Sequence, residues 1–96
     1  MSYRFLDAAF AELDNAAAWY EMQRTGLGAE LVQAVDAAIE RLVVDPKSWP
    51  AIDAKFYRCR VQGFPFDIVF SIRDSEVLIV AVAHHHRKPD YWQLRE

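Results

Sequence analysis

Two arginines, Arg58 and Arg60, stand two residues apart in the run AKFYRCRVQ (Ala54 to Gln62), with Lys55 just upstream. Residues two apart on an extended chain share a face, so this run would present two guanidiniums side by side. Such a pair can grip a phosphate or carboxylate bidentately and balance charge that builds in a transition state. The same pair also suits plain solvated arginines facing Asp67 and other acids, or an acidic partner chain. Arg73 ends the next run, FDIVFSIR (Phe66 to Arg73), on the face of Asp67, Val69 and Ser71. It would extend the basic patch to three.

The second chemical stretch is HHHRKPDYW (His84 to Trp92). Neighbours on an extended chain point to opposite faces, so at most His84 and His86 could converge. No cysteine or carboxylate at ligand spacing joins them, so no metal and no cofactor is expected. An expression tag is excluded by the short run and by the sequence that continues on both sides. His84 is expected to end a strand with a hydrogen bond to backbone or carboxylate. Its ordinary pKa near 6.5 would also allow proton transfer. The sequence assigns no separate role to His85 or His86. Tyr91 and Trp92 are expected to pack back on the domain as a clasp, since burying two aromatic rings is strongly favourable.

The elements that must carry these residues follow from hydrophobic period. YRFLD (Tyr3 to Asp7) fits a first strand, with Asp7 as the cap of a following helix. From Ala8 to about Arg24, Ala9, Leu13, Ala16 and Tyr20 fall on one helical face, with Phe10, Ala17 and Met22 beside it. Glu12, Asp14 and Glu21 fall opposite, and Trp19 and Tyr20 are expected to pack in the core or against the hairpin. TGLG (Thr25 to Gly28) breaks this helix. In a second helix, Ala29 to Val44, residues Leu31, Val35, Ala38, Ile39 and Leu42 recur at steps of three and four. Asp45-Pro46 stops it. The short link makes the two helices an antiparallel hairpin.

From Lys47 the period changes to two. Tyr57, Cys59 and Val61 alternate with Arg58 and Arg60; then Phe66, Ile68, Phe70 and Ile72 alternate with Asp67, Val69, Ser71 and Arg73. GFP (Gly63 to Pro65) and DSE (Asp74 to Glu76) read as turns. VLIVAVA (Val77 to Ala83) is apolar on both faces, as an inner, doubly covered strand is. The order is β-α-α-β-β-β in one α+β domain spanning residues 1–96. The helical hairpin covers one face of a small antiparallel sheet, strand two runs antiparallel to strand one, and the arginines line the uncovered face.

Composition limits the function classes. The chain has 96 residues, 53% hydrophobic and 26% charged, which fits a globular domain. No apolar run nears the roughly 18–20 residues of a membrane span, and no secretory signal is visible, so a cytoplasmic location is expected. Cys59 is the only cysteine, which excludes an internal disulfide. The net charge of −3 argues against general nucleic-acid binding. The charge is uneven: residues 1–54 hold four Lys/Arg and nine Asp/Glu, leaving −5, while residues 55–96 hold seven and five, leaving +2. The basic half points to an anionic partner.

Read together, WYE (Trp19 to Glu21), GLG (Gly26 to Gly28), DP, YRCRVQGFPFDIVFSI (Tyr57 to Ile72) and VAVAHHHRKPDYW (Val80 to Trp92) resemble the RelE/ParE superfamily of toxins from type II toxin–antitoxin modules. The likeness covers nearly the whole chain. It implies a small toxin held inactive by a cognate antitoxin, whose C-terminal segment wraps it by strand addition and helix-in-groove docking, giving a toxin–antitoxin hetero-oligomer. RelE-like members cut messenger RNA in the ribosome; ParE-like members block DNA gyrase. On the RelE-like reading, Arg58, Arg60, Arg73 and Arg87 are catalytic candidates, with Tyr91 or His84 handling protons. On the ParE-like reading, Lys55, Arg58, Arg60 and Arg73 bind antitoxin or target. The net acidity, the few lysines and the aromatic ending favour a ParE-like toxin, linked to plasmid stabilisation. The alternatives are a metal-independent endoribonuclease acting on the ribosome with its mRNA, and an inactive interaction module.

Overall fold

The computed structural model describes residues 1–95. Strand β1 (Ser2–Phe5) leads into helix α1 (Asp7–Gln23) and helix α2 (Leu27–Val44); a 3₁₀ turn (Pro46–Ser48) and a loop follow. Strands β2 (Tyr57–Arg60), β3 (Phe66–Arg73) and β4 (Glu76–His84) complete the sheet. The expected α+β order and helical hairpin are present, and the meander is antiparallel as the turns require: β2 pairs with β3 and β3 with β4. Asp74 and Ser75, both at positive φ, make the two-residue β3–β4 turn, a backbone form whose twist matches the strands.

The first strand departs from expectation. The order across the sheet is β1-β4-β3-β2, and β1 lies parallel to β4, which makes the sheet mixed. Hence β2 runs in the same direction as β1 and does not touch it. Parallel pairing needs a long crossover, and the whole chain between them supplies it. β4 is therefore central, which is why Val77 to Ala83 is apolar on both faces.

A β-bulge sits in β4. Val69 pairs with Ala81 and Phe70 with Ile79, leaving Val80 as the extra residue. Val80 and Ala81 consequently both join the cluster on the sheet face away from the helices, while Val77, Ile79 and Val82 join the helix-side core. From this point on, every side chain of β4 lies on the face opposite to the one strict alternation gives.

Helix α2 buries all five residues of its expected stripe: Leu31, Val35, Ala38, Ile39 and Leu42. Helix α1 buries Ala9 and Leu13, but Trp19 (58% exposed), Phe10 and Met22 lie on the surface, not in the core. The helix is so alanine-rich that its core contact is narrow, and the large side chains fall at the margins. Asp7 is the first helical residue, not the cap; Leu6 is the cap and gives no side-chain bond. Two of the acids expected on the solvent side have partners. Glu21 accepts hydrogen bonds from the backbone N–H of Gly26 (2.9 Å) and Gly28 (3.0 Å), closing the interhelical turn. The other, Glu12, holds Tyr91 and Arg95 of the C-terminal segment. Gly26 has φ +92°, and a Cβ on Gly28 would lie 2.5 Å from the Ala17 carbonyl oxygen. Both glycines of the GLG motif thus have a steric reason.

The second sheet face is covered as well, against the expectation that it stays open. The C-terminal segment folds over it. Trp92 is 5% exposed and meets Phe56 edge-on at 4.7 Å, above Val69, Leu78, Val80 and Ala81. The arginines lie at the rim of this cover.

Candidate binding groove beside the C-terminal clasp

The groove begins with the even-numbered residues of β2. Cys59 and Val61 turn into the helix-side core, so Arg58 and Arg60 point outward and are exposed, as their alternation requires. Burial in that core pushes the Cys59 thiol pKa up, keeping it a neutral, small apolar group. In register, Arg58 lies opposite Val69 and Arg60 opposite Asp67. With Asp67, the two arginines form the ridge between two open grooves. One, about 320 Å³, is bounded by Trp49 and Pro50. The other, about 440 Å³, is closed by His85, Arg87, Lys88 and Tyr91.

The larger groove is basic. Arg58, Arg60, Arg87 and Lys88 line it against Asp67 and Asp90. His85 Nε2 lies 3.2 Å from Asp67 Oδ1. His85 reaches Asp67 because the β4 bulge shifts the alternation. His84 also borders this groove, but its ring packs against Phe66 at 5.0 Å on the helix side. Its Nδ1 accepts the backbone N–H of His86 at 3.0 Å, the structural bond to backbone expected of it. Desolvation, then the neighbouring His86 and His85, push its pKa down, so it is neutral at physiological pH.

The remaining candidates separate. Arg73 stands opposite Glu76 at the β3–β4 turn, four residues along β3 from Val69, or about 13 Å away. It does not line the groove, and the expected row of three arginines is a pair. Lys55 lies in the loop before β2, its Nζ 5.4 Å from the Phe56 ring. Arg87 stacks on the Tyr91 ring at 4.0 Å. The Tyr91 hydroxyl donates to Glu12, turned away from the groove. Burial, then the Glu12 carboxylate, push its pKa well above the ordinary phenol value.

Glu12 is what sequence reasoning missed. It receives both guanidinium nitrogens of Arg95, at 2.8 and 2.9 Å, and the backbone N–H of Val82 at 3.0 Å. Arg95 also donates to the Val80 carbonyl at 3.1 Å. These bonds finish the edge of β4 just beyond the point where β1 stops pairing, since the last β1-side bond is Leu6 N–H to Ile79 O. The hydrogen bonds to Glu12 hold the Arg95 pKa up. A signal existed in the sequence: Glu12 lies three residues after Ala9 and four before Ala16, beside the apolar row of α1.

The chain is thus a helical hairpin on a four-stranded mixed sheet, its far face clasped by a tail beside a basic groove. The chain belongs to the ParE toxin family of the type II toxin–antitoxin system parDE, whose model matches residues 3–89. Among solved structures, it is similar to a chain of the chromosomal ParDE toxin–antitoxin system from P. aeruginosa. The TM-score is 0.77 at 18% identity, covering 88% of this chain and 95% of that one. A comparison with proteins of curated function found no match. No helix among the described residues is long and apolar enough to cross a membrane.

Proposed function

We propose that this toxin inhibits growth by binding DNA gyrase, without catalysing a reaction of its own, and that a cognate antitoxin neutralises it. The action belongs in the cytoplasm. The observation that supports a binding role is the engagement of Tyr91. Cleaving RNA through its 2′-hydroxyl calls for groups that deliver and accept protons at the phosphate. Tyr91 donates its hydroxyl hydrogen bond to Glu12, lies under Arg87, and is built into the clasp. His84 packs on the helix side, and Arg73 stands at the far end of β3. The Arg58–Arg60 ridge then serves as a contact surface for acidic groups of gyrase or antitoxin.

Induction without the antitoxin, followed by nucleoid imaging and RNA profiling, tests this. Filamentation and DNA damage with intact messenger RNA are expected. Purified protein should inhibit gyrase supercoiling, and the Arg58→Ala/Arg60→Ala variant should do so more weakly. The convergence of Arg58, Arg60 and Arg87 on one groove favours a second reading, a ribosome-dependent mRNA endonuclease. Cleaved ribosome-bound transcripts that vanish in that same variant would establish it. Harmless overexpression would leave an interaction module.

A further inference from the structure

Trp19 is more than half exposed, and neither the helix-side core nor the basic groove uses it. It forms one wall of a separate cavity of about 250 Å³. The other walls are Ala16 and Tyr20 of α1, Phe66 at the start of β3 and His84 at the end of β4. Steps of three and four put Ala16, Trp19 and Tyr20 on one side of the helix. Phe66 and His84 are register partners across the β3–β4 ladder. Four of the five lining side chains are aromatic rings, and Ala16 leaves open the space that a longer side chain would fill.

The rings are set at steep angles to one another. Trp19 meets Tyr20 at 87° and 5.0 Å, Tyr20 meets Phe66 at 65° and 6.3 Å, and Phe66 meets His84 at 88° and 5.0 Å. Rings turned in this way border the space from different sides. A cavity of this volume is about 8 Å across, so a group at its centre lies within about 6 Å of each ring, the range over which a ring face attracts a cation. Charge on the carrier helix points the same way. Helix α1 holds Asp7, Glu12, Asp14 and Glu21 and no lysine or arginine, and the cavity lies along its C-terminal half, toward the negative end of the helix dipole. Arg24, just past that end, is paired with Glu30 at 3.1 Å. His84, neutral at physiological pH, adds a ring and not a charge.

We infer that this aromatic box is a binding site for a methylated ammonium ion, a compact organic cation whose charge is spread over its methyl groups. A primary ammonium fits less well. Its three N–H bonds need acceptors when water is removed, and no carboxylate lines the cavity among the described residues. A methylated ammonium needs none and gains from every ring face it touches. An anion is opposed by the acid-only helix. The box lies on the helix side of the sheet, so the inference is independent of the Arg58–Arg60 ridge and of the function proposed above.

Titration of the full chain with choline, followed by NMR of the choline methyl protons and of the aromatic rings, tests the site. Saturable binding with a Kd of about 1 mM or tighter is expected. The neutral tert-butyl analogue of choline, equal in shape, should bind about tenfold more weakly or worse. Trp19→Leu keeps an apolar side chain but removes a ring face, and should weaken choline binding about tenfold or more. Because Trp19 is exposed, this variant should melt close to the parent. Ala16→Leu should block the cavity, while Arg58→Ala/Arg60→Ala should bind choline unchanged. Three results overturn the inference: no saturable choline binding, equal binding of the neutral analogue, which would make the cavity merely apolar, or undiminished binding by folded Trp19→Leu. Methylammonium binding as tightly as choline would refute the ligand class.

Discussion

On the helix side of the sheet, fifteen buried residues among those described, from both helices and three strands, form one cluster; on the tail side only six do. The first cover is distributed, with every turn of α2 contributing. The second rests on one indole, Trp92, and one carboxylate, Glu12, which gathers Tyr91, Arg95 and the β4 backbone. A distributed apolar cover resists any single change in proportion to the area removed. A cover held by two anchors fails when either is removed, so the tail side is where stability and groove shape are most open to perturbation.

Trp92→Ala should have the largest effect, about 3–5 kcal/mol in urea unfolding, because it empties the centre of the small cluster. If it costs no more than a surface substitution, the tail is not a structural cover and the contrast collapses. Glu12→Gln comes next, at about 2–3 kcal/mol. It leaves the Arg95 guanidinium four-fifths buried without its counter-charge, less than a fully buried pair because water still reaches it. Amides of Val80 and Val82 should then exchange faster while those of α2 do not, which would separate the two covers directly. Gly28→Ala probes the helix side. A methyl 2.5 Å from the Ala17 carbonyl forces the helices apart, at about 1–3 kcal/mol.

The mildest probe is alkali, with no effect at pH 7. The Tyr91 pKa is higher in the folded chain than in the unfolded one, so the folded state holds the phenolic proton more tightly. The stability this site supplies is whole below the unfolded value near 10 and is lost as pH rises above it. Tyr91→Phe should flatten that alkaline slope in pH-dependent melting; an unchanged slope would mean that Tyr91 is not anchored in the clasp.

The legible parts of the molecule are those in which a local period reports a buried face. Leu31, Val35, Ala38, Ile39 and Leu42 marked the face of α2, Asp45-Pro46 its end, and the alternation around Cys59 fixed which way Arg58 and Arg60 point. The candidate site was half legible. The arginine pair and the aromatic clasp could be read, but the exclusion of Arg73 and the entry of His85 and Glu12 could not. Arg73 shares its alternation class with Val69, yet strand length puts it at the other end of the sheet.

Sequence alone determined the hairpin, the meander and the orientation of the arginines, because each depends on residues only two to four apart. Tertiary structure decided that β1 pairs in parallel with β4, that the Val80 bulge turns the His84 ring to the helix side and brings His85 to Asp67, and that Glu12 meets a tail some eighty residues away. Those outcomes depend on which unpaired backbone groups and charges remain once the core has closed. No local pattern records that, because the groups come together only in the folded chain.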